Sequence, residues 1–247
     1  MKADGLELPV PVLKGPHWRV NFRPDEYKRE LIPSLKNCFE IIEKNKLSLR
    51  GWDYPHLSNF SNERGVGNNW VASWSHFMGH LEYWRFYQSG QFLHLFSVRE
   101  ATTPEWRQKL QAQIKAHLSF MKEINWDNVP GFISILNLIY TVTEVFEFAA
   151  RLCQAQVYNG ILNIDIRIKD IKGFVLSIEW DRVWHDYCSA AENEIGHSWS
   201  FQSDFLVADS ANQSLSAIYW FFERFGWLSH SVNVFRQDQE NFLKGRI

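Results

Sequence analysis

Residues 161–169 read Ile-Leu-Asn-Ile-Asp-Ile-Arg-Ile-Lys, and this stretch decides the fold class. Its apolar side chains at 162, 164, 166 and 168 alternate with polar ones, which is the pattern of a strand with one buried face. Lys172-Gly173 is a turn signal, so the segment from Phe174 to Trp180 is predicted to return antiparallel to this strand.

The rest of the chain alternates strand and helix signals in blocks. Further strands are predicted at His17–Phe22, in a meander over residues 70–98 with a hairpin turn at 88–91, and at Ser198–Val207. Helices are predicted over 25–46, from a cap at Thr103 with Pro104 next to it, over 132–156, and from a cap at Asp209 to a stop at Gly226. We therefore expect an α+β fold, with antiparallel sheet or sheets and packed helices.

Domain organisation follows from the length and the absence of a visible linker or repeat. The 247 residues predict a single domain over 1–247, and two tightly packed halves, 1–128 and 129–247, are the alternative. Hydrophobic residues at 45% and charged residues at 22% exclude wholesale disorder.

The charge is nearly balanced overall but uneven along the chain. A net charge of −2 argues against a protein that coats nucleic acid with a basic surface. Residues 14–50 carry nine Lys or Arg against five acids, and residues 174–209 carry seven acids against one Arg. These blocks indicate either an acidic face for a basic partner or solvated faces that balance each other within the fold.

The cysteines and the apolar runs point to a compartment. Cys38, Cys153 and Cys188 are far apart and odd in number, which favours reduced thiols over a disulfide framework or zinc site. Residues 1–9 lack the apolar stretch of a signal peptide. The uncharged run at 128–143 has 16 residues, fewer than the roughly 18 that a bilayer span needs. We expect a cytoplasmic protein without a membrane partner.

Three patterns contain the residue types of catalytic or metal sites. His76 and His80 are four residues apart, but on a strand that offset separates side chains by about 13 Å. Arg50 with His56, and Arg224 with His230, have the R-x(4–6)-H spacing of HEPN ribonucleases, at a frequency close to chance.

The third pattern, Asp165 to Lys169, is similar to the metal-binding strand of restriction-type nucleases, but Arg167 stands where a carboxylate is needed. We therefore predict no catalytic residue, no metal site and no cofactor.

Aromatic residues are 16% of the chain and are concentrated over residues 52–87. The candidate binding site is the loop and hairpin with Trp52, Tyr54, Arg85 and Tyr87, where an Arg beside rings suits a planar or anionic group. If Trp84 faces the core, Arg85 and Tyr87 face solvent. The alternative is that the rings form core, and that Arg85 lies over the sheet and pairs with Glu82 or Glu100.

Four segments in this order resemble a module that follows Schlafen/Alba-type putative DNA-binding domains in bacterial proteins labelled regulators or ATP-binding proteins. The segments are Arg50-Gly-Trp-Asp-Tyr-Pro55, Glu82-Tyr-Trp-Arg-Phe-Tyr-Gln-Ser-Gly-Gln-Phe92, Glu144-Val-Phe-Glu-Phe-Ala-Ala-Arg-Leu152 and Phe221-Phe-Glu-Arg-Phe-Gly-Trp227. The resemblance covers most of residues 15–228, without the N-terminal DNA-binding domain. It implies a sensor or adaptor part.

Two functional hypotheses follow. The first is a non-enzymatic interaction or sensing subunit of a bacterial regulatory or antiviral assembly, for example a CRISPR-associated one, with a protein partner. The alternative is a nucleic-acid-binding or nucleolytic accessory component, motivated by the aromatic cluster near Arg50, Arg64 and Arg85.

Overall fold

The architecture is seen in a computed structural model that describes residues 12–77, 80–101, 104–117, 124–178, 182, 186–228 and 232–246. Its centre is a seven-stranded sheet in the order β2-β3-β4-β5-β1-β7-β9, in which every neighbouring pair is antiparallel. The strands are β1 His17–Pro24, β2 Arg64–Val66, β3 Trp70–Phe77, β4 His80–Tyr87, β5 Phe92–Ser97, β6 Phe132–Ser134, β7 Ile161–Lys169, β8 Val175–Ser177 and β9 Glu194–Gln202. Strands β6 and β8 form a separate two-stranded parallel sheet.

Five helices accompany the sheets in the described residues, and the predicted α+β class is confirmed. They are α1 Leu35–Asn45, α2 Pro104–His117, α3 Ile135–Gln154, α4 Ser203–Arg224 and α5 Val232–Leu243. One side of the large sheet, which we call the main face, carries Trp18, Phe22 and Trp84 and shares a single core with α3 and α4.

The alternating stretch at 161–169 is β7, as predicted, and the side chains at 162, 164, 166 and 168 are 0% exposed, whereas Ile161 at its start is 38% exposed. It pairs with β1 on one edge and β9 on the other. The other edge of β1 pairs with β5. One continuous sheet therefore contains strands from both ranges 1–128 and 129–247.

The predicted antiparallel return at 174–180 is wrong. Both edges of β7 are occupied by β1 and β9, so no edge is left for a further strand. Residues 175–177 instead form β8, which runs parallel to β6, and residues 179 and 180 lie outside the described part. The meander over 70–98 is confirmed as β3, β4 and β5.

Helix α1 begins ten residues later than predicted. Ser34 caps it, because its Oγ accepts a hydrogen bond from the Asn37 backbone N–H at 3.1 Å. Pro33 disfavours helical geometry in the residue before it, which excludes a helix that runs through from residue 25. The predicted cap at Thr103 lies outside the described residues.

Helix α4 begins at Ser203, so the predicted strand at 198–207 is wrong in its last five residues. Asp209, the predicted cap, lies at a break within this helix, with φ −141° and ψ 25°. Its carboxylate accepts hydrogen bonds from the Asn212 and Gln213 side chains. The predicted stop at Gly226 is confirmed: φ is +87°, and the Trp227 N–H bonds the Phe222 carbonyl in a Schellman closure.

The three cysteines are buried and unpaired, and burial raises the pKa of Cys38 to about 12. Within the described ranges, none of the helices combines the length and apolar character that crossing a membrane requires.

Candidate functional site

A cavity of about 540 Å³ lies between the main face of the sheet and α3. Its sheet wall comes from Trp18, Glu82, His94 and Phe96, and its helix wall comes from Asn137 to Glu144. The segment 50–54 forms a third side. This volume is within the range of roughly 300–1,000 Å³ that is typical of small-molecule sites.

Glu82 is the central carboxylate of this cavity and is only 4% exposed. It accepts hydrogen bonds from the His56 backbone N–H at 2.8 Å, from Nε2 of His94 at 2.9 Å and from Nε1 of Trp52 at 3.2 Å. Burial by itself would raise the pKa of Glu82, but contacts with His80 and His94 outweigh it and hold the pKa well below its usual range. Glu82 is therefore an ionised, fully satisfied group that positions the residues around it.

His94 offers the cavity an unused nitrogen. The ring is 1% exposed, and Nε2 is engaged with Glu82. Nδ1 is buried and has no hydrogen-bond partner within the described residues. Since a carboxylate can only accept, Nε2 carries the proton, and in the neutral ring Nδ1 is then an acceptor.

Tyr54 is the second group with an unused polar atom. Its ring lies 5.1 Å from the His94 ring, its side chain is 6% exposed, and its hydroxyl is buried without a partner among the described residues. Burial, with the nearby charges of Glu144 and Glu82, raises the pKa of Tyr54 well above its ordinary value. The hydroxyl therefore keeps its proton and can both donate and accept.

Arg50 and Glu144 form a buried ion pair at the cavity wall. Nε and a terminal nitrogen of the guanidinium donate to the two carboxylate oxygens, and the same terminal nitrogen lies 3.3 Å from the Thr141 hydroxyl. Burial raises the pKa of Glu144, and Arg50 opposes that rise. This bidentate pair connects the 50–54 segment to the middle of α3. It also pairs the positive charge of Arg50 with a carboxylate of the same protein.

Glu100 closes the cavity at the N-terminus of α3. Its Oε1 accepts from the Ser134 backbone N–H at 3.0 Å and from Nδ2 of Asn137 at 2.6 Å. Both donors are neutral, and burial raises the pKa of Glu100. Glu100 thus holds the first turn of α3 in place while its carboxylate borders the cavity.

Aromatic rings line the remaining side. Trp52 stacks on His56 at 4.0 Å between ring centroids and on Phe77 at 5.4 Å, and Phe77 is 54% exposed. Trp18 and Phe96 stack deeper in the cavity at 6.1 Å. A planar ligand body would find π surfaces on both levels.

The predicted site residues divide between the two faces of the sheet. Trp52 and Tyr54 border the cavity. Arg85 and Tyr87 alternate with the core-facing Trp84 and therefore lie on the opposite face. The structure does not bring the four residues together in one site.

Arg85 is the centre of a small polar and aromatic cluster on that opposite face. Its guanidinium lies 4.1 Å above the Trp70 ring, and it donates to the hydroxyls of Tyr83 at 2.9 Å and Tyr87 at 3.2 Å. The alternative pairing of Arg85 with Glu82 or Glu100 is wrong, because both carboxylates border the cavity.

The residues of the predicted metal and nuclease patterns lie apart or are engaged within the protein. His76 and His80 lie on adjacent strands, β3 and β4, and no group of three or more potential ligands for a metal ion occurs in the described ranges. Arg50 is committed to Glu144 and His56 stacks on Trp52, whereas His230 is outside the described residues. Arg167 donates to Asp165 and Glu194, so it holds this pair as a structural ion network.

Glu82, His94 and Glu144 are among the cavity residues that sequence reasoning missed. A usable signal existed for two of them. Glu82 alternates in register with Trp84 and Phe86, so it points to the same, core-facing side of its strand. Glu144 lies within the apolar stripe of α3. Each is therefore a charged residue at a core-facing position.

Comparisons of the chain with protein-family models, with curated proteins and with solved structures found no match.

Proposed function

We propose that this chain is a sensing module that binds a small molecule in the cavity between the sheet and α3, and that it reports occupancy to a partner protein. The observation that carries the proposal is a pair of buried polar atoms without a hydrogen-bond partner in the described residues, Oη of Tyr54 and Nδ1 of His94, on two side chains that border the cavity. A buried polar group without a hydrogen bond costs about 1–3 kcal/mol. A ligand that bonded both atoms would recover that cost on binding.

The surroundings of these two atoms support a binding role. Glu82 fixes the orientation of the His94 ring, and the Arg50–Glu144 pair fixes the segment that carries Tyr54. The cavity is therefore built by groups that are themselves held by strong hydrogen bonds, as a preorganised site requires. Apolar walls from Trp18, Phe96 and Leu138 would supply most of the buried ligand surface.

The wider setting is also part of the proposal. We place the module in a reducing compartment, the bacterial cytoplasm, since its three cysteines are buried free thiols. The resemblance to bacterial Schlafen/Alba-associated modules favours a subunit of a regulatory or antiviral assembly. The basic segment 14–50 and the acidic segment 174–209 are the candidate contacts for a protein partner.

The alternative of a nucleic-acid-binding or nucleolytic component has less support from these residues. The charge of Arg50 is paired with Glu144, and two of the three Arg85 guanidinium nitrogens donate to Tyr83 and Tyr87. We expect no retention of single- or double-stranded DNA on filters at roughly 50 mM salt, where phosphate contacts are strongest. Retention there would favour the alternative.

The proposal is tested by calorimetric titration and thermal melting of the full chain against a panel of small amines, acids and neutral heterocycles, with Tyr54→Phe as the variant. Because the Tyr54 hydroxyl has no hydrogen-bond partner in the described part of the chain, Tyr54→Phe should leave the free protein as stable as wild type or more stable, and should weaken ligand binding. A panel without any ligand whose binding depends on Tyr54 would overturn the proposal.

Tyr158→Phe is the matched control. Tyr158 is equally buried, but its hydroxyl donates to the Gly90 carbonyl at 2.7 Å and does not border the cavity. This variant should lose about 1 kcal/mol of stability and should leave ligand binding unchanged. The two tyrosines therefore separate a binding effect from a stability effect.

A further inference from the structure

The two edges of the large sheet differ in length. β2 ends the sheet on one side and has three residues, whereas β9 ends it on the other side and has nine. A long edge strand offers a row of backbone N–H and C=O groups to another strand. Within the described ranges, no strand pairs with the outer edge of β9. This edge is therefore where a further strand would extend the sheet.

The direction of the β9 backbone groups follows from the hydrogen bond between the Ser203 N–H and the Gly160 carbonyl, at 2.8 Å. This pair continues the register of β9 with β7, so it is a hydrogen-bonded pair of that ladder. Because such pairs alternate with non-hydrogen-bonded ones, the even-numbered residues of β9 point their N–H and C=O groups away from β7. The outward-pointing residues are Glu194, Gly196, Ser198, Ser200 and Gln202.

β9 lacks the features that usually protect an edge strand from pairing. Its residues include no proline and no lysine, and its register with β7 continues without a bulge. Its one acidic or basic residue, Glu194, lies at the first position and is paired with Arg167 and Lys169 of β7. The side chains of Ser198 and Ser200, in the middle of the strand, are exposed. The edge is therefore accessible and has no charge along its centre.

The sequence of β9 is complementary to itself in the antiparallel direction. With Ser198 on a two-fold axis, every outward-pointing residue faces another outward-pointing residue, as hydrogen-bonded pairs require. Glu194 then lies opposite the neutral Gln202 of the second copy, so no like charges meet. On the main face, the exposed His197 lies opposite Trp199, which places two rings at a closely spaced, non-hydrogen-bonded position. A shift of the register by two residues would leave one end of the strand unpaired.

We infer that this chain forms a two-fold symmetric dimer through its β9 strands, so that one continuous sheet runs through both copies. The second copy is the occupant that fits, because all nine residues pair and the acidic side chain does not meet its own kind. The dimer is independent of the proposed ligand site, since no residue of β9 borders the cavity. One pair of strands gives an interface at the small end of the range for stable complexes, so we expect a dissociation constant of about 1–100 μM.

The first test is sedimentation velocity of the full chain over a concentration series that spans this range. Ser198→Pro removes the outward N–H at the axis and none of the hydrogen bonds to β7, and proline is tolerated where the N–H of an edge strand faces solvent. It should weaken dimerisation at least about tenfold. Ser198→Ala is the matched control: it loses the same bond from the Ser198 hydroxyl to Asp165 but keeps the N–H, so it should dimerise like wild type.

Ser198→Lys provides a second variant whose backbone is unchanged. It places two lysine side chains next to each other across the axis, and like charges directly opposite each other on paired strands repel. We expect it to be monomeric at concentrations where wild type is a dimer, with an unchanged circular dichroism spectrum. This variant tests the inference even if Ser198→Pro fails to fold.

The register is tested by cysteine cross-linking with diamide as the oxidant. In Ser198→Cys the two Cα atoms at the axis would be about 5.5 Å apart, which a disulfide can bridge. In Ser200→Cys the cysteine lies two positions from the axis on each copy, so the two are about 14 Å apart and should not cross-link. Wild type is the blank, because Cys38, Cys153 and Cys188 are buried.

A chain that remains monomeric at about 200 μM would overturn the inference. So would a dimer that persists in both Ser198→Pro and Ser198→Lys, or one that is lost in a folded Ser198→Ala. Equal cross-linking of the two cysteine variants would contradict the axis at Ser198. The proposed function fails separately, when the panel of small molecules contains no ligand that depends on Tyr54.

Discussion

Glu82 on β4 and His94 on β5 are diagonal neighbours across the two strands, and 2.9 Å separates Oε1 of the carboxylate from Nε2 of the ring. Both side chains point to the main face and are almost fully buried. This contact places a proton on Nε2, so the other nitrogen, Nδ1, is an acceptor in the neutral ring.

Glu82→Gln tests this relationship. Three donors converge on the carboxylate, from His56, Trp52 and His94, and a glutamine amide would present its own NH₂ to one of them. We expect the free energy of unfolding in urea to fall by about 1–3 kcal/mol. Glu147→Gln is the control with a carboxylate outside this cluster, and equal stability of the two variants would contradict the assigned hydrogen bonds.

The pair of Arg50 and Glu144 gives a second prediction. Arg50→Ala leaves a buried carboxylate without its cation, and loss of one partner of such a pair costs about 3–5 kcal/mol. Adding Glu144→Leu removes the unpaired carboxylate, so the double variant should recover most of the lost free energy of unfolding. Denaturant midpoints of the single and double variants measure this, and a double variant less stable than Arg50→Ala would rule out the explanation.

Much of the fold follows from the sequence because periodicity is a local property. Residues 161–169 and the meander over 70–98 each contain their own alternation, so their strands were predicted with nearly correct bounds. The partner of β8 was not predictable in this way. Its pairing with β6 depends on both edges of β7 being occupied, which is a property of the assembled sheet.

Only part of the cavity could be predicted from the sequence, because only local patterns are visible there. Trp52 and Tyr54 were recognised because an aromatic cluster is visible locally. Arg50 and Glu144 are 94 residues apart, and no local pattern indicates that they meet. The charges at core-facing positions, Glu82 and Glu144, were the available signal, because a buried carboxylate needs a partner somewhere in the fold.

The cluster around Arg85 provides a third prediction, for a double variant with Arg85→Ala and Tyr87→Ala. Arg85 stacks on Trp70 at a partly exposed face, so the fold should persist with a loss of about 1 kcal/mol. Because this face is opposite to the cavity, binding of a small molecule in the cavity should be unchanged. Loss of that binding in a folded double variant would show that the ligand binds on the Arg85 face of the sheet and not in the cavity.

Asp165 gives a prediction for pH. Burial would raise its pKa, but hydrogen bonds from Arg167 and Ser198 outweigh burial and lower the pKa. A carboxyl whose pKa is lower in the folded state stabilises the fold above the unfolded value of about 3.9, and this contribution is lost as the pH falls through the folded value.

Asp165→Asn should therefore be less stable than wild type by about 1–3 kcal/mol at pH 7. The difference should shrink as the pH falls below about 4. Urea unfolding at a series of pH values measures it, with Asp127→Asn as a control at an exposed ion pair. A difference that stays constant from pH 7 to pH 3 would show that the ionised form of Asp165 is not what matters.

The last prediction concerns Phe222, which anchors α4 against the C-terminal part of the chain. Its ring is fully buried, 5.0 Å from the Trp227 ring and 4.9 Å from the Phe235 ring between centroids. Phe222→Ala should cost about 3–5 kcal/mol, since it removes the transfer free energy of the ring and leaves a cavity.

Total stability of a domain is only about 5–15 kcal/mol, so Phe222→Ala should melt far below wild type and express poorly. Phe205→Ala is the matched control, because Phe205 lies on the same helix with its side chain half exposed and should change stability by no more than about 0.5 kcal/mol. Melting temperatures of the two variants by circular dichroism decide the matter. If Phe222→Ala melts with the wild type, this face of α4 does not pack in the core and is available to a partner instead.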